Sequence, residues 1–439
     1  MPNLFLAIVK DNWIPFKQKY LGYATEYYDS VIEKVLGCGD PEFGYIDFLC
    51  MGCGQDSKRV AFSCRSMFCL RCGRMFAAGF VEEVKTKLHV GVVYRHLILT
   101  LPQQLWSSFY ESRHEKDLYN RYFRCGWECI QDILNCATRK DLRCGCLMVL
   151  HVVGRKGDYK PHLHILVMDG GIDTKTGEWV KLGYFPYEIL HRKWQYHLLK
   201  MVKEFFKTAK IDELVDKLWK QYPKGFVGQI LKGDVPKKMK KLTKYLAKYL
   251  FSPAIAIRRI KRYDPVKGTV TYEYQSHKTK RMELETVDVL IFLGRMVEQI
   301  LPKGFQRVRY YGLQATASYE KSKDRIQEAM ESNYSSSELE EDTFEAEGDV
   351  GAPKESGTYA NQVLELTGKD PLRCCRCGLR MEVVKVWCKK YGTLVDRLSA
   401  LRKAAQPVPR APPVLPLTRV VIRASSNPSL EQQVLLALS

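Results

Sequence analysis

Two histidines one residue apart, His162 and His164 in "PHLHILVMDGG", stand in an apolar run of a chain that holds nine histidines in 439 residues. On a strand, positions i and i+2 share a face, so both imidazoles project together while Leu163 points to the core. Two imidazoles on one face are half of a divalent-metal site; the plainer alternative is a pair of partly exposed histidines on a sheet. Downstream, in "KKLTKYLAKYLF", Tyr245 and Tyr249 lie four residues apart and are neighbours on one helix face. Taken alone, among 25 tyrosines, they read as structural. Together the two features describe a chemistry. A Mg²⁺ or Mn²⁺ ion on the histidines polarises a scissile phosphate. A tyrosine hydroxyl attacks the phosphorus and forms a phosphotyrosine that keeps the bond energy for rejoining. Lys244 and Lys248 are placed to hold the phosphate or to help deprotonate the phenol. Lys237, Lys238, Lys240 and Lys241 add positive charge for nucleic acid.

A second constellation is built on cysteine. Cys50-x2-Cys53 and Cys69-x2-Cys72 are separated by fifteen residues, a spacing that suits one tetrahedral, structural zinc site. Cys64 is able to replace one ligand or to pack, and Cys38 belongs to neither pair. Cys374 and Cys377, in "RCCRCG", have no evident second pair. They read as ordinary thiols in preference to a knuckle completed by Cys388.

The elements that must position these residues follow from patterning. "YRHLILTL" (94–101), "CLMVLHVVG" (146–154) and "HLHILVM" (162–168) have strand length and composition, and "RKGDYKP" between the last two reads as a hairpin connection. Helical patterning covers 105–140 and 187–223. Pro236 sits in the first turn of the tyrosine helix, in which Leu242, Leu246 and Leu250 form the buried stripe, and Pro253 ends it. "TVTYEYQ" (269–275) returns to strand alternation, and "TVDVLIFLGRMVEQIL" (286–301) is an amphipathic helix. After residue 320, "SNYSSSELEEDTFEAEGDVGAPKESG" reads as a disordered acidic linker and "AAQPVPRAPPVLPL" as extended chain.

Bulk properties narrow the partner. Lys and Arg outnumber acids 69 to 49, a net charge of +20. Eight carboxylates fall between Glu331 and Asp349 with no Lys or Arg among them, so the remainder is more basic still. Such an excess points to a polyanion, nucleic acid ahead of membrane. The opening "MPNLFLAIVKDNW" has no basic n-region, and no apolar run approaches the ~20 residues of a bilayer span. The expected location is intracellular. Fifteen cysteines in that setting argue for thiols and metal over disulfides.

In this order and spacing the motifs resemble those of the HUH single-strand endonucleases (histidine, bulky apolar residue, histidine). "HLILTLP" looks like the first motif, "PHLHILVMDGG" the second and "YLAKY" the third in its two-tyrosine form. The closer resemblance is to the two-tyrosine transposases of rolling-circle insertion sequences, the IS-ninety-one type. It rests on "FLCMGCG…FSCRSMFCLRCG", "YRHLILTLPQQLW", "YLFSPAIAIRRI", "YQSHKTKRMELETVDVLIFLGRMVEQILPKGFQRVRYYGL" and "DPLRCCRCG". The resemblance implies that Tyr245 and Tyr249 are the nucleophiles and His162 and His164 the metal ligands. It also implies a 5′-phosphotyrosine on single-stranded DNA with a free 3′-OH. Such sites add a third polar ligand. His151, on the strand that should pair with 162–168, is the first candidate, ahead of Gln229 and His277.

The expected fold is α+β, an HUH endonuclease domain with a central antiparallel sheet. The expected organisation is a zinc-binding module over 1–80, a catalytic domain over 90–320, an acidic linker over 321–360 and a Cys-containing, Pro-rich tail over 361–439. The expected activity is nicking and joining of single-stranded insertion-sequence ends and target, with Mg²⁺ or Mn²⁺ catalytic and Zn²⁺ structural. A replication initiator or relaxase with the same chemistry is one alternative. A non-catalytic zinc DNA-binding protein is another. Tyr310 and Tyr311, in "RVRYYG", are read equally as a stacking surface for DNA and as structural aromatics.

Overall fold

The computed structural model describes residues 3–331, save Arg71, Arg155, Phe185, 232–234, 236–240, 243–244, 247–248, 251–254, 277–278 and 280; beyond them it describes Leu364 and 369–399. It is a mixed α/β chain whose sheets are antiparallel throughout. The chain divides into two compact units, each discontinuous in sequence: Met1–Ile32 with Ser66–Glu347, and Glu33–Arg65 with Gly348–Ser439. Where the sequence reading drew one module over 1–80, residues 33–65 group with the C-terminal part and 66–80 with the larger unit.

A five-stranded sheet organises the larger unit, in the order Val308–Gly312, Gly145–Val153, Tyr159–Met168, Tyr94–Thr100, Gly228–Ile230. The two central strands read as continuous apolar runs because both faces of the sheet are covered. On one face Leu97, Leu99, Met148, Leu150, Leu163, Ile165 and Val167 meet the helices Lys116–Thr138 and Tyr187–Phe206. On the other, Tyr94, Leu147, Val149, Leu166 and Met168 meet Leu242, Leu246 and Leu250 together with Val81 and Val84. The Gly145–Val153 and Tyr159–Met168 strands form the expected hairpin, closed by a Gly154 N–H donating to the Asp158 carbonyl (2.8 Å) and by Gly157 at φ +85°. At the far end of the second strand, buried Asp169 accepts two hydrogen bonds from Arg95 (2.9 and 3.0 Å), which fixes the exit of the chain.

Several boundaries differ from the sequence reading. The 187–223 stretch is two helices, Tyr187–Phe206 and Ala209–Gln221, parted by Lys207 at φ +49° and capped anew by Thr208. Residues 286–288 belong to the strand Met282–Asp288, and Asp288 then caps the helix Val289–Val297 by accepting from the Leu290 N–H (2.8 Å). The linker expected from 321 begins instead as the helix Tyr319–Glu331; the acidic run after it and the Pro-rich tail lie outside the described residues. The 369–399 stretch carries two strands, Glu382–Cys388 and Gly392–Asp396, which with Gly44–Leu49 and Ser57–Ala61 form the four-stranded sheet of the smaller unit.

Tyr310 and Tyr311 are half-buried on opposite faces of the edge strand Val308–Gly312, which pairs with Gly145–Val153. Tyr310 packs with the tyrosine-helix core. Tyr311 stacks on Trp127 at 5.5 Å and 15°. Their arrangement is that of structural aromatics. The strand ends at Gly312, φ +59°, where an added Cβ would lie 2.0 Å from the Cys144 carbonyl oxygen and 2.7 Å from Trp127. Only glycine fits both the left-handed backbone and that approach. Gly312→Ala should therefore lower stability by about 2 kcal/mol or more, read as a lower denaturant midpoint. A midpoint shift worth less than ~0.5 kcal/mol would contradict this reading.

Candidate functional site

Strand register decides which side chains meet. His151 is the direct partner of His162, Val149 of His164, Ile98 of His164 and Thr100 of His162. Cross-strand partners share a face, so His151, His162 and His164 emerge together. Their ring centroids lie 4.4–5.3 Å apart, and one potential ligand atom from each lies within 4.8 Å of the others. The structure thus brings the nominated third residue, His151, to the pair. Gln229 is exposed on the strand Gly228–Ile230, and His277 lies outside the described residues.

Each imidazole has one nitrogen held by a neighbour. His162 Nδ1 donates to the Lys160 carbonyl at 2.7 Å, and His151 Nε2 donates to the Leu250 carbonyl at 2.8 Å. These bonds fix the tautomers and leave His162 Nε2 and His151 Nδ1 as lone-pair donors, the usual outer-shell arrangement of histidine ligands. His164 Nδ1 lies 2.9 Å from Nε2 of a fourth histidine, His96, whose Nδ1 in turn lies 2.7 Å from the Tyr245 hydroxyl.

His96 was missed in the sequence reading, although it stands in the quoted "HLILTLP". The available signal was parity: in the strand Tyr94–Thr100 it lies two residues from Ile98, the partner of His164, and so shares that face. His96 is fully buried.

The described residues of 241–249 are helical, and the Leu250 N–H donates to the Leu246 carbonyl (2.9 Å). The leucine stripe seats this segment on the histidine face. Tyr245 and Tyr249 stand with ring centroids 4.8 Å apart, each 5.6 Å from the His96 ring. Lys241 is exposed; Lys237, Lys238, Lys240, Lys244 and Lys248 lie outside the described residues.

Burial governs the electrostatics. It holds the His96 and His162 pKa values down at about 4. Burial, reinforced by the neighbouring His162, takes His151 to about 3, and burial with three adjacent imidazoles keeps His164 well below the usual range. All four are neutral at pH 7, the form a metal ligand requires. Burial and the nearby Tyr249 raise the Tyr245 phenol above its ordinary value.

The hydrogen-bond chain has two possible directions, which exclude one another. A neutral His164 that uses Nε2 as a ligand carries its proton on Nδ1 and donates it to His96 Nε2. His96 then holds its proton on Nδ1 and aims it at the Tyr245 oxygen. In that direction the chain stabilises a phenolate.

The expected cysteine quartet is not what the structure assembles. Cys50 and Cys53 stand in the smaller unit, with Cys374 and Cys377. Cys69 and Cys72 belong to the larger unit, where Cys72 opens the helix Cys72–Lys87. Cys388, weighed earlier as a possible fourth ligand for the C-terminal pair, is a strand residue outside that group.

Two family models match the chain: a "Putative transposase" family over residues 145–323, and a "Transposase zinc-binding domain" of IS91 type over 8–101. The transposase for insertion sequence element IS801 of Pseudomonas savastanoi pv. phaseolicola is 26% identical over 80% of this chain and 82% of its own length. The chain is an IS91-type transposase. "Putative transposase y4qJ" of Sinorhizobium fredii is 25% identical over 75% of this chain and 81% of its own length. No solved structure matches. The transposase is accordingly a DNA-processing enzyme with a zinc-binding region, and DNA is its partner. Its histidine face and tyrosine segment both fall within or next to the matched ranges. Among the described residues no helix is long and apolar enough to cross a membrane.

The depressed imidazoles carry a pH dependence. Between their folded values, near 3–4, and the ordinary 6.5, the unfolded chain binds more protons than the folded one. Their contribution to stability is complete above pH 6.5 and is lost as pH falls toward 4. In histidine-labelled, metal-free transposase the ring resonances of His96, His151 and His162 should not titrate between pH 7.5 and 5. A midpoint near 6.5 for any of them would contradict their burial.

Proposed function

We propose that the transposase nicks and joins single-stranded DNA at the ends of its element and at the target, through a 5′-phosphotyrosine formed at the histidine face. The observation that carries this reading is the chain from Tyr245 through His96 to His164, set beside His151 and His162. It couples a nucleophile to three neutral imidazoles on one face. A divalent ion held by His151, His162 and His164 would polarise the scissile phosphate and stabilise its developing charge. Of the two ions expected, Mn²⁺ suits an all-imidazole set better than Mg²⁺, which prefers oxygen ligands.

The chain's own groups supply the rest. The Tyr245 phenol gives up its proton to solvent, the His96 N–H directed at Tyr245 stabilises the resulting phenolate oxygen, and that oxygen attacks phosphorus. The phosphorus–oxygen bond to the 3′ side breaks, and the departing 3′-oxygen takes up a proton to become a free hydroxyl. The phosphate remains on the 5′ end, now bonded to tyrosine, so no bond energy is lost to water. Reversal with a different 3′-hydroxyl joins the strands. Tyr245 acts first in this scheme because it holds the bond to His96, and Tyr249 beside it serves the second strand. Lys244 and Lys248 are assigned to the phosphate, and Lys237, Lys238, Lys240 and Lys241 to DNA binding through backbone charge. Such a protein works on the nucleoid.

The test is incubation with Mn²⁺ or Mg²⁺ and single-stranded oligonucleotides from the element ends. A covalent protein–DNA adduct should form. Tyr245→Phe should abolish the first-cleavage adduct, Tyr249→Phe should retain it, and His162→Ala should lose cleavage by at least ~100-fold with DNA binding kept. An adduct that survives in the double tyrosine variant would sink the nucleophile assignment.

A further inference from the structure

The cysteines of the smaller unit are not used by the chemistry above. Cys50-x2-Cys53 ends the strand Gly44–Leu49, and Cys374-x2-Cys377 precedes Glu382–Cys388. These two strands pair directly, from Gly44 opposite Cys388 to Leu49 opposite Glu382. At their ends the four sulfurs converge: Cys50 Sγ lies 3.3 Å from Cys377 Sγ, Cys53 Sγ lies 3.7 Å from Cys374 Sγ, and all four lie within 4.8 Å of one another. A tetrahedron of thiolates ~2.3 Å from zinc has sulfur–sulfur separations of roughly 3.8 Å, so the spacing fits the ion.

The two pairs also share one backbone form. In each, the N–H of the following glycine donates to the carbonyl of the first cysteine: Gly54 to Cys50 at 2.8 Å and Gly378 to Cys374 at 3.1 Å. Both glycines are left-handed, at φ +65° and +74°. Amides are aimed at the sulfurs as well, with Arg376 and Cys377 N–H donating to Cys374 Sγ at 3.4 and 3.5 Å. Amides directed at sulfur stabilise thiolate, the form zinc binds. The turns are further clasped by the Cys375 N–H on Asp56 (3.0 Å) and by Arg376 on Gln55 (2.7 Å).

We infer that Cys50, Cys53, Cys374 and Cys377 together hold one structural zinc ion, with half of its ligands supplied from beyond both family-matched ranges. The zinc-binding domain matched over 8–101 contributes only one knuckle of this site. The second comes from a segment more than 270 residues further along the chain (374 − 101 = 273). The metal is then the clasp that ties the segment following the acidic run to the strands around residues 44–61.

Metal content of the purified full-length chain tests this. Cys374→Ser/Cys377→Ser should lose one zinc equivalent per chain. Cys50→Ser/Cys53→Ser should lose the same one, and the quadruple variant again one. Unchanged zinc in the Cys374→Ser/Cys377→Ser variant, or a loss of two in the quadruple, would overturn the shared site. Because serine variants can misfold, Cys374→His supplies a second measurement in Co²⁺-loaded protein. It keeps four donors, so metal should still bind while the thiolate-to-cobalt charge-transfer band weakens. An unaltered spectrum would exclude Cys374 from the site.

Discussion

Four imidazoles on one sheet face under one helix, His96 and His164 buried and His151 and His162 half-buried, are the constraint on which the rest of the larger unit depends. Histidine is buried at least cost when it is neutral and its ring nitrogens have partners. The fold gives His96 a partner on both nitrogens and each of the other three a partner on one. Lys160 serves His162, the Leu250 carbonyl serves His151, and Tyr245 with His96 serves His164. Two of these bonds come from the tyrosine segment. The bonds that orient the imidazoles therefore also set the depth of Tyr245 over them.

The core explains why that segment is where it is. Its leucines cover the same face from which the histidines emerge, while the opposite face is covered by the helices Lys116–Thr138 and Tyr187–Phe206. Gly126 lets the first of these approach closely: an added Cβ would lie 2.7 Å from the Leu163 side chain. Leu163, the residue between the two histidines, thus anchors the strand from behind. The bulky apolar residue of the His-x-His pattern has a mechanical role, since it resists rotation of the strand that carries His162 and His164.

Much of this centre was legible before any coordinates. A period of two placed His162 with His164, a hairpin connection placed His151 opposite them, and a period of four paired the tyrosines. Each inference used contacts local in sequence, which patterning encodes well. His96 was missed because its role depends on the register of a strand more than sixty residues away in sequence. The cysteines misled for a related reason. Cys50, Cys69 and Cys374 all open the same C-x-x-C-G string, so spacing alone favoured the two nearest pairs. What separates them is backbone form. Gly54 and Gly378 turn left-handed, whereas Gly73 continues into the helix that Cys72 begins. Helix boundaries failed where a side chain intervened, as at the cap formed by Asp288 and at the break before Thr208.

The sheet of the smaller unit imposes an order in time. Its strand Gly44–Leu49 is an inner strand, paired on one side with Ser57–Ala61 and on the other with Glu382–Cys388. Gly44 and its partner Cys388 are 344 residues apart (388 − 44). At ordinary synthesis rates of about 5–20 residues per second, the ribosome takes roughly 20–70 s to reach the second strand after the first. Through that interval the early hairpin presents an unpaired edge and two thiols without their partners. The larger unit has by then been almost wholly synthesised. A transposase copy interrupted before its last segment would carry the histidine face and tyrosine segment intact and leave this sheet open.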